Sequence, residues 1–123
     1  MGEKPHTLTD LTEMIREFVH ERDWEQYNRP LHLAISTAIE VGELLELFQW
    51  KTNADVEVAL KDNKFREALA SEIADVLVYL LRVADTTGID PTHAVIEKMK
   101  KNSEKYPADY WEGRAPSKFN RPE

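Results

Sequence analysis

The stretch FREALASEIADVLVYLLRVADTTG, Phe65 to Gly88, decides the fold. Within it Leu69, Ile73, Val76, Leu77, Leu80 and Val83 recur at three- and four-residue spacing, the period of an α-helix with one apolar side. The spacing predicts a helix over 65–87, and Gly88, free to take a positive φ, is placed to end it. Such a stripe must be buried against other helices, so the flanking sequence should supply them.

It does. Thr7 and Asp10 have the form of an N-cap box, followed by Leu8, Leu11, Ile15, Phe18 and Val19 at helical spacing, which predicts a first helix from about Leu8 to Tyr27. Pro30, after the turn residues Asn28 and Arg29, suits the first turn of a second helix running to about Trp50. Lys51-Thr52-Asn53 reads as a break, Asn53 or Asp55 can cap a short helix through Leu60, and 61–64 is a polar turn. Asp90 and Pro91 open a last helix that ends near Tyr106, because Pro107 cannot continue it. The tail 108–123 holds Gly113, Pro116 and Pro122 and is expected to be irregular. The expectation is an all-α fold: a helical bundle of four long helices plus a short connecting helix, with residues 1–107 as one domain and 108–123 as its tail.

Composition narrows the function classes. With 123 residues, 41% hydrophobic and 32% charged, the chain suits a single globular domain. No cysteine is present, which removes disulfides, thiolate zinc sites and cysteine nucleophiles, and fits a reducing, cytoplasmic setting. Glu3, Lys4, His6, Asp10, Glu13, Arg16 and Glu17 interrupt the first twenty residues, so no signal-peptide core is expected there, and no apolar run approaches the ~20 residues that span a bilayer. A net charge of −7 disfavours a nucleic acid polymer as partner, although a small phosphate can still bind where a cation stands between two negative groups.

That possibility gains weight from four acids. On the second helix Glu40 falls on the stripe of Leu33, Leu44 and Leu47, with Glu43 at its edge; on the long helix Glu72 lies between Leu69 and Val76, with Asp75 one turn on. Each pair is acid-x-x-acid, so its two side chains leave adjacent turns in one direction. Such acids can be ordinary surface residues at the margin of an amphipathic helix. If they face a common interior, protonation, Lys or Arg partners, or metal ions must neutralise them, and the apolar stripes supply no cationic partner. An all-oxygen donor set favours magnesium or manganese over zinc. A ferritin-like di-iron site would need Glu-x-x-His, and neither Glu40 nor Glu72 has His at that spacing.

The segment EVGELLELFQW, Glu40 to Trp50, and the segment EIADVLVY, Glu72 to Tyr79, stand with 28 residues between Glu43 and Glu72. Together they resemble the E-x-x-E…E-x-x-D signature of MazG-like pyrophosphohydrolases. ERDWEQY, Glu21 to Tyr27, and KMKKNSEKYP, Lys98 to Pro107, are similar to the flanking motifs of the dCTP pyrophosphatase branch. The resemblance spans residues 7 to 107. It implies that Glu40, Glu43, Glu72 and Asp75 bind magnesium, with manganese a possible substitute, and that water attacks the α-phosphorus of a nucleoside triphosphate, dCTP above all. Glu43 is the carboxylate chosen to orient that water or accept its proton.

The same resemblance makes Trp24 and Trp50 an aromatic clamp on the base, whereas the residues alone fit core packing as well. Tyr79 shares the face of Asp75 and is assigned to sugar or core. Lys98, Asn102 and Tyr106 form a row on the last helix that the resemblance assigns to phosphate or sugar; by itself a Lys-rich helix end is a solvated face. Ile15 stands where members of the branch can carry His, which removes one polar group from base recognition. A homotetramer built from dimers is implied too. Two other readings stay open: a broader pyrophosphatase acting on other or modified nucleotides, and a noncatalytic protein that binds a nucleotide or a partner helix.

Overall fold

The computed structural model describes residues 6–123, and Glu3 and Lys4 lie outside them. The described residues form α1 (Leu8–Glu21), α2 (Pro30–Glu46), α3 (Asn53–Ala59), α4 (Asn63–Thr87), α5 (Pro91–Lys105) and α6 (Ala108–Trp111), with no strand among them. The all-α expectation holds. The helices divide between two compact units, Met1–Ile89 and Asp90–Glu123.

In the first unit α4 is the axis, and both α2 and α1 pack on it. Each contributes one buried apolar side chain: Val19 from α1, Leu33 from α2 and Leu81 from α4. The helix ends follow local chemistry. Thr7 and Asp10 exchange side chain to backbone hydrogen bonds at the start of α1, as the cap box requires. Gly88 ends α4 at φ 71°. The α3 cap is Thr52, boxed with Asp55, rather than Asn53 or Asp55 itself. Its hydroxyl sits where the Asp55 N–H needs an acceptor.

Two helices stop short of the apolar periodicity. The first, α1, ends at Glu21 rather than Tyr27, because Asp23 turns left-handed at φ 53°. The Asp23 N–H then donates to the His20 carbonyl at 3.0 Å and the Trp24 N–H to the Val19 carbonyl at 3.1 Å, the paired bonds of a Schellman ending. The second, α2, ends at Glu46 rather than Trp50: Phe48 and Gln49 donate three residues back, to Leu45 and Glu46, and Trp50 takes φ 67°. A left-handed tryptophan is strained by roughly 1–2 kcal/mol.

The second unit keeps its expected cap, Asp90 accepting from Thr92 ahead of Pro91. The tail is less irregular than expected. The turn α6 forms directly after Pro107, and its Trp111 ring meets Tyr106 edge-on at 5.2 Å between centroids. That aromatic contact gives the turn something to pack on.

Candidate metal centre and adjoining cleft

Helical geometry brings the acid pairs together. Glu40 and Glu43 leave adjacent turns of α2, Glu72 and Asp75 adjacent turns of α4, and the α2–α4 contact brings the two pairs next to each other. One carboxylate oxygen from each of the four lies within 4.8 Å of the others. Glu40 and Glu72 are half-buried, and each holds a buried Oε2 with no hydrogen-bond partner among the described residues. Glu43 and Asp75 are exposed.

Electrostatics register the crowding. The Glu40 pKa is raised, first because the adjoining Glu43 carboxyl is close enough to share a proton, then by burial and by the charges of Glu43, Asp75 and Glu72. Burial raises that of Glu72, with Glu43, Asp75 and Glu46 adding like charge. Glu46, one turn beyond Glu43 on α2, is thus near enough to be felt. Two orphaned buried oxygens in an oxygen-only donor set are what a hard cation would satisfy, so the four residues fit a metal ion.

Beside the cluster lies a cleft of about 410 Å³, within the range of small-molecule sites. Asp75 belongs to both. Trp24, Tyr79, Ile15, Phe18, Asn28 and Arg82 also line it. The Schellman ending of α1 sets Trp24 there, its ring edge-on to Phe18 at 5.8 Å between centroids. Asn28 and Arg82 were not singled out by motif, yet Arg82 falls seven residues after Asp75, on the same face of α4.

Trp50 is 92% exposed on its left-handed turn and does not line this cleft. Lys98, Asn102 and Tyr106 stand on or just after α5 in the second unit, with Lys98 exposed and the other two half-buried.

Residues 35–115 match the profile of the MazG-like family, which covers the acid pairs and everything between them. The chain belongs to the MazG-like family. Relatives within reach include dCTP pyrophosphatase 1 of Rattus norvegicus, 43% identical over 109 residues, and that of Homo sapiens, 43% identical over 102 residues. The match covers 89% of this chain and 64% of the rat protein, and 83% and 60% for the human pair, so the chain spans somewhat under two thirds of these relatives. A crystal structure of a pyrophosphatase from Archaeoglobus fulgidus is 42% identical, with a TM-score of 0.75 over 87% of this chain and 98% of that one. At that identity and TM-score the fold of this chain is shared with that protein.

Proposed function

We propose that this MazG-like chain is a nucleoside triphosphate diphosphatase that converts dCTP and water to dCMP and diphosphate. The observation that carries the reading is the meeting of four carboxylates, all within 4.8 Å, next to an aromatic-lined cleft that shares Asp75 with them. The dCTP pyrophosphatase relatives support the same substrate.

Glu40, Glu43, Glu72 and Asp75 hold magnesium, or manganese in its place, which when bound offsets phosphate charge and acidifies water. Glu43 is exposed within the cluster, so its carboxylate reaches solvent, orients the attacking water and accepts its proton. The water oxygen bonds to the α-phosphorus, the α–β bridging bond breaks, and diphosphate leaves. Trp24 stacks on the base inside the cleft, and Tyr79 lies against the sugar. Trp50 lies outside this cleft, so its exposed ring would meet the base only from beyond the cleft walls, and its strained backbone fits a functional position. Lys98, Asn102 and Tyr106 contact phosphate or sugar.

The protein acts in the cytoplasm as a homotetramer, a dimer of dimers. Support for assembly comes from α2, where Leu31, Ile35 and Ile39 form one row and remain 68%, 50% and 59% exposed. No helix of the described residues is long and apolar enough to cross a membrane. A panel of dCTP, dUTP, dTTP, dATP, dGTP and CTP, read as monophosphate formed, tests the substrate. Fastest turnover of dCTP is expected; purine triphosphates hydrolysed as fast would replace this reading with a broader pyrophosphatase.

A further inference from the structure

Ile15 lines the cleft without a polar atom in its side chain, and stacking on Trp24 discriminates bases poorly, so base choice needs another group. The cleft contains one built for it. Arg82 is only 5% exposed, and its guanidinium is held on two sides. Its Nε–H donates to Asn28 Oδ1 at 3.0 Å and its Nη1 to Asp85 Oδ2 at 2.8 Å. Both holders are themselves fixed. Asn28 Nδ2 donates to the Trp24 carbonyl at 3.1 Å, which settles which end of the amide faces Arg82. Arg16 grips the Asp85 carboxylate through Nε at 2.9 Å and Nη2 at 2.6 Å.

One donor group is left over. Among the described residues Arg82 Nη2 has no hydrogen-bond partner. In a planar guanidinium the Nε–H and one Nη2–H point the same way, so this donor lies on the Asn28 side; Asn28 and Arg82 both line the cleft shared with Trp24 and Asp75, whereas Asp85, on the other side, lines with Arg82 a second pocket that lacks Asn28. From Asp75 to Arg82 is two turns of α4, about 10 Å. A nucleotide whose phosphates sit at the carboxylates and whose base stacks on Trp24 would bring the far edge of that base to Arg82.

We infer that Arg82, positioned by Asn28 and Asp85, is the specificity-determining residue that reads the base, selecting a pyrimidine with adjacent acceptors at O2 and N3. Cytosine presents that edge. Uracil and thymine carry a hydrogen on N3, which would face a donor that cannot turn away. This rests on the diphosphatase reading above and goes beyond it by naming the atom recognised.

The test compares kcat/KM for dCTP, dUTP and 3-deaza-dCTP, which lacks the N3 acceptor, in the wild type and in Arg82→Met. Wild-type protein should lose roughly ten- to hundredfold on 3-deaza-dCTP relative to dCTP, the range for a hydrogen bond to a charged donor. In Arg82→Met the two should converge, with the loss falling on dCTP and dUTP little changed. The analogue measurement needs only the wild-type chain, so it stands even if the variant fails to fold. Equal wild-type turnover of dCTP and 3-deaza-dCTP would overturn the role of Arg82 while leaving the diphosphatase intact. No diphosphate from any of the three would overturn the diphosphatase reading and this inference with it.

Discussion

Glu40 on α2 and Glu72 on α4 each bury an oxygen that no hydrogen bond from the described residues reaches, and oxygens of the two carboxylates lie within 4.8 Å of each other. Both carboxyls are held above the usual glutamate range, Glu40 by sharing with Glu43 and Glu72 by burial. A raised folded pKa means that the favourable contribution is complete below the unfolded value, about 4.3, and is lost as pH rises through the folded one. The metal-free protein should therefore gain from Glu40→Gln at neutral pH. Melting with chelator should show no gap between the two proteins near pH 4 and a gap that opens in favour of Glu40→Gln as pH rises. A wild type equal to the variant at pH 7 would argue against crowding of these acids. Added magnesium should raise the wild-type Tm and leave that of the variant nearly still.

The Asp85 carboxylate has the opposite sign. The hydrogen bond from Arg16 lowers its pKa, ahead of the opposing effect of burial and the charges of Arg16 and Arg82. Its contribution is present above the ordinary aspartate value and is lost as pH falls through the folded one. Asp85→Ala should cost about 1.5 to 3 kcal/mol, since it removes a charged hydrogen bond from the buried Arg82. Arg16→Ala should cost less, because Arg16 is 55% exposed and water can replace it. Denaturant unfolding at pH 7 measures both, and a larger effect at Arg16 would contradict the burial argument.

These features were unequally legible in the sequence. The acid pairs were readable because helical spacing alone puts i and i+3 on one face, and the α4 stripe required a partner helix beside it. The ends of α1 and α2 were not. Phe18, Val19 and Trp24 continue an apolar rhythm, yet the left-handed turns at Asp23 and Trp50 break the helices, and neither residue is the glycine that would announce such a turn. Asn28 and Arg82 were missed because their partners are distant in sequence, 54 residues in the case of their mutual bond.

The exposed row Leu31, Ile35 and Ile39 predicts self-association. Light scattering at micromolar concentration should give a homo-oligomer, and Ile35→Asp should shift it toward smaller species. A monomer with full activity would remove the tetramer from the account.

Aromatic contact with the base predicts a kinetic pattern. Trp24→Ala should lower kcat/KM for dCTP roughly 5- to 150-fold, the equivalent of the 1–3 kcal/mol that stacking on one base supplies. Trp50→Ala should act chiefly on KM if its ring meets substrate and transition state alike. Steady-state kinetics of the two variants decide this, and unchanged constants for Trp50→Ala would take that residue out of the clamp. Ile15→His should widen the preference for dCTP over other pyrimidine triphosphates.

If Glu40, Glu43, Glu72 and Asp75 together make a metal-dependent catalytic centre, diphosphate release from dCTP is the measurement that reads it out. The assay is run on the wild type, Glu43→Gln and Asp75→Asn, each with magnesium and with chelator, alongside circular dichroism to verify helical folding. Turnover by the wild type is expected only with magnesium, with a loss of a hundredfold or more in each folded variant, as removal of a positioned carboxylate entails. Wild-type turnover that persists in chelator, or a folded Glu43→Gln variant as active as the wild type, would contradict it.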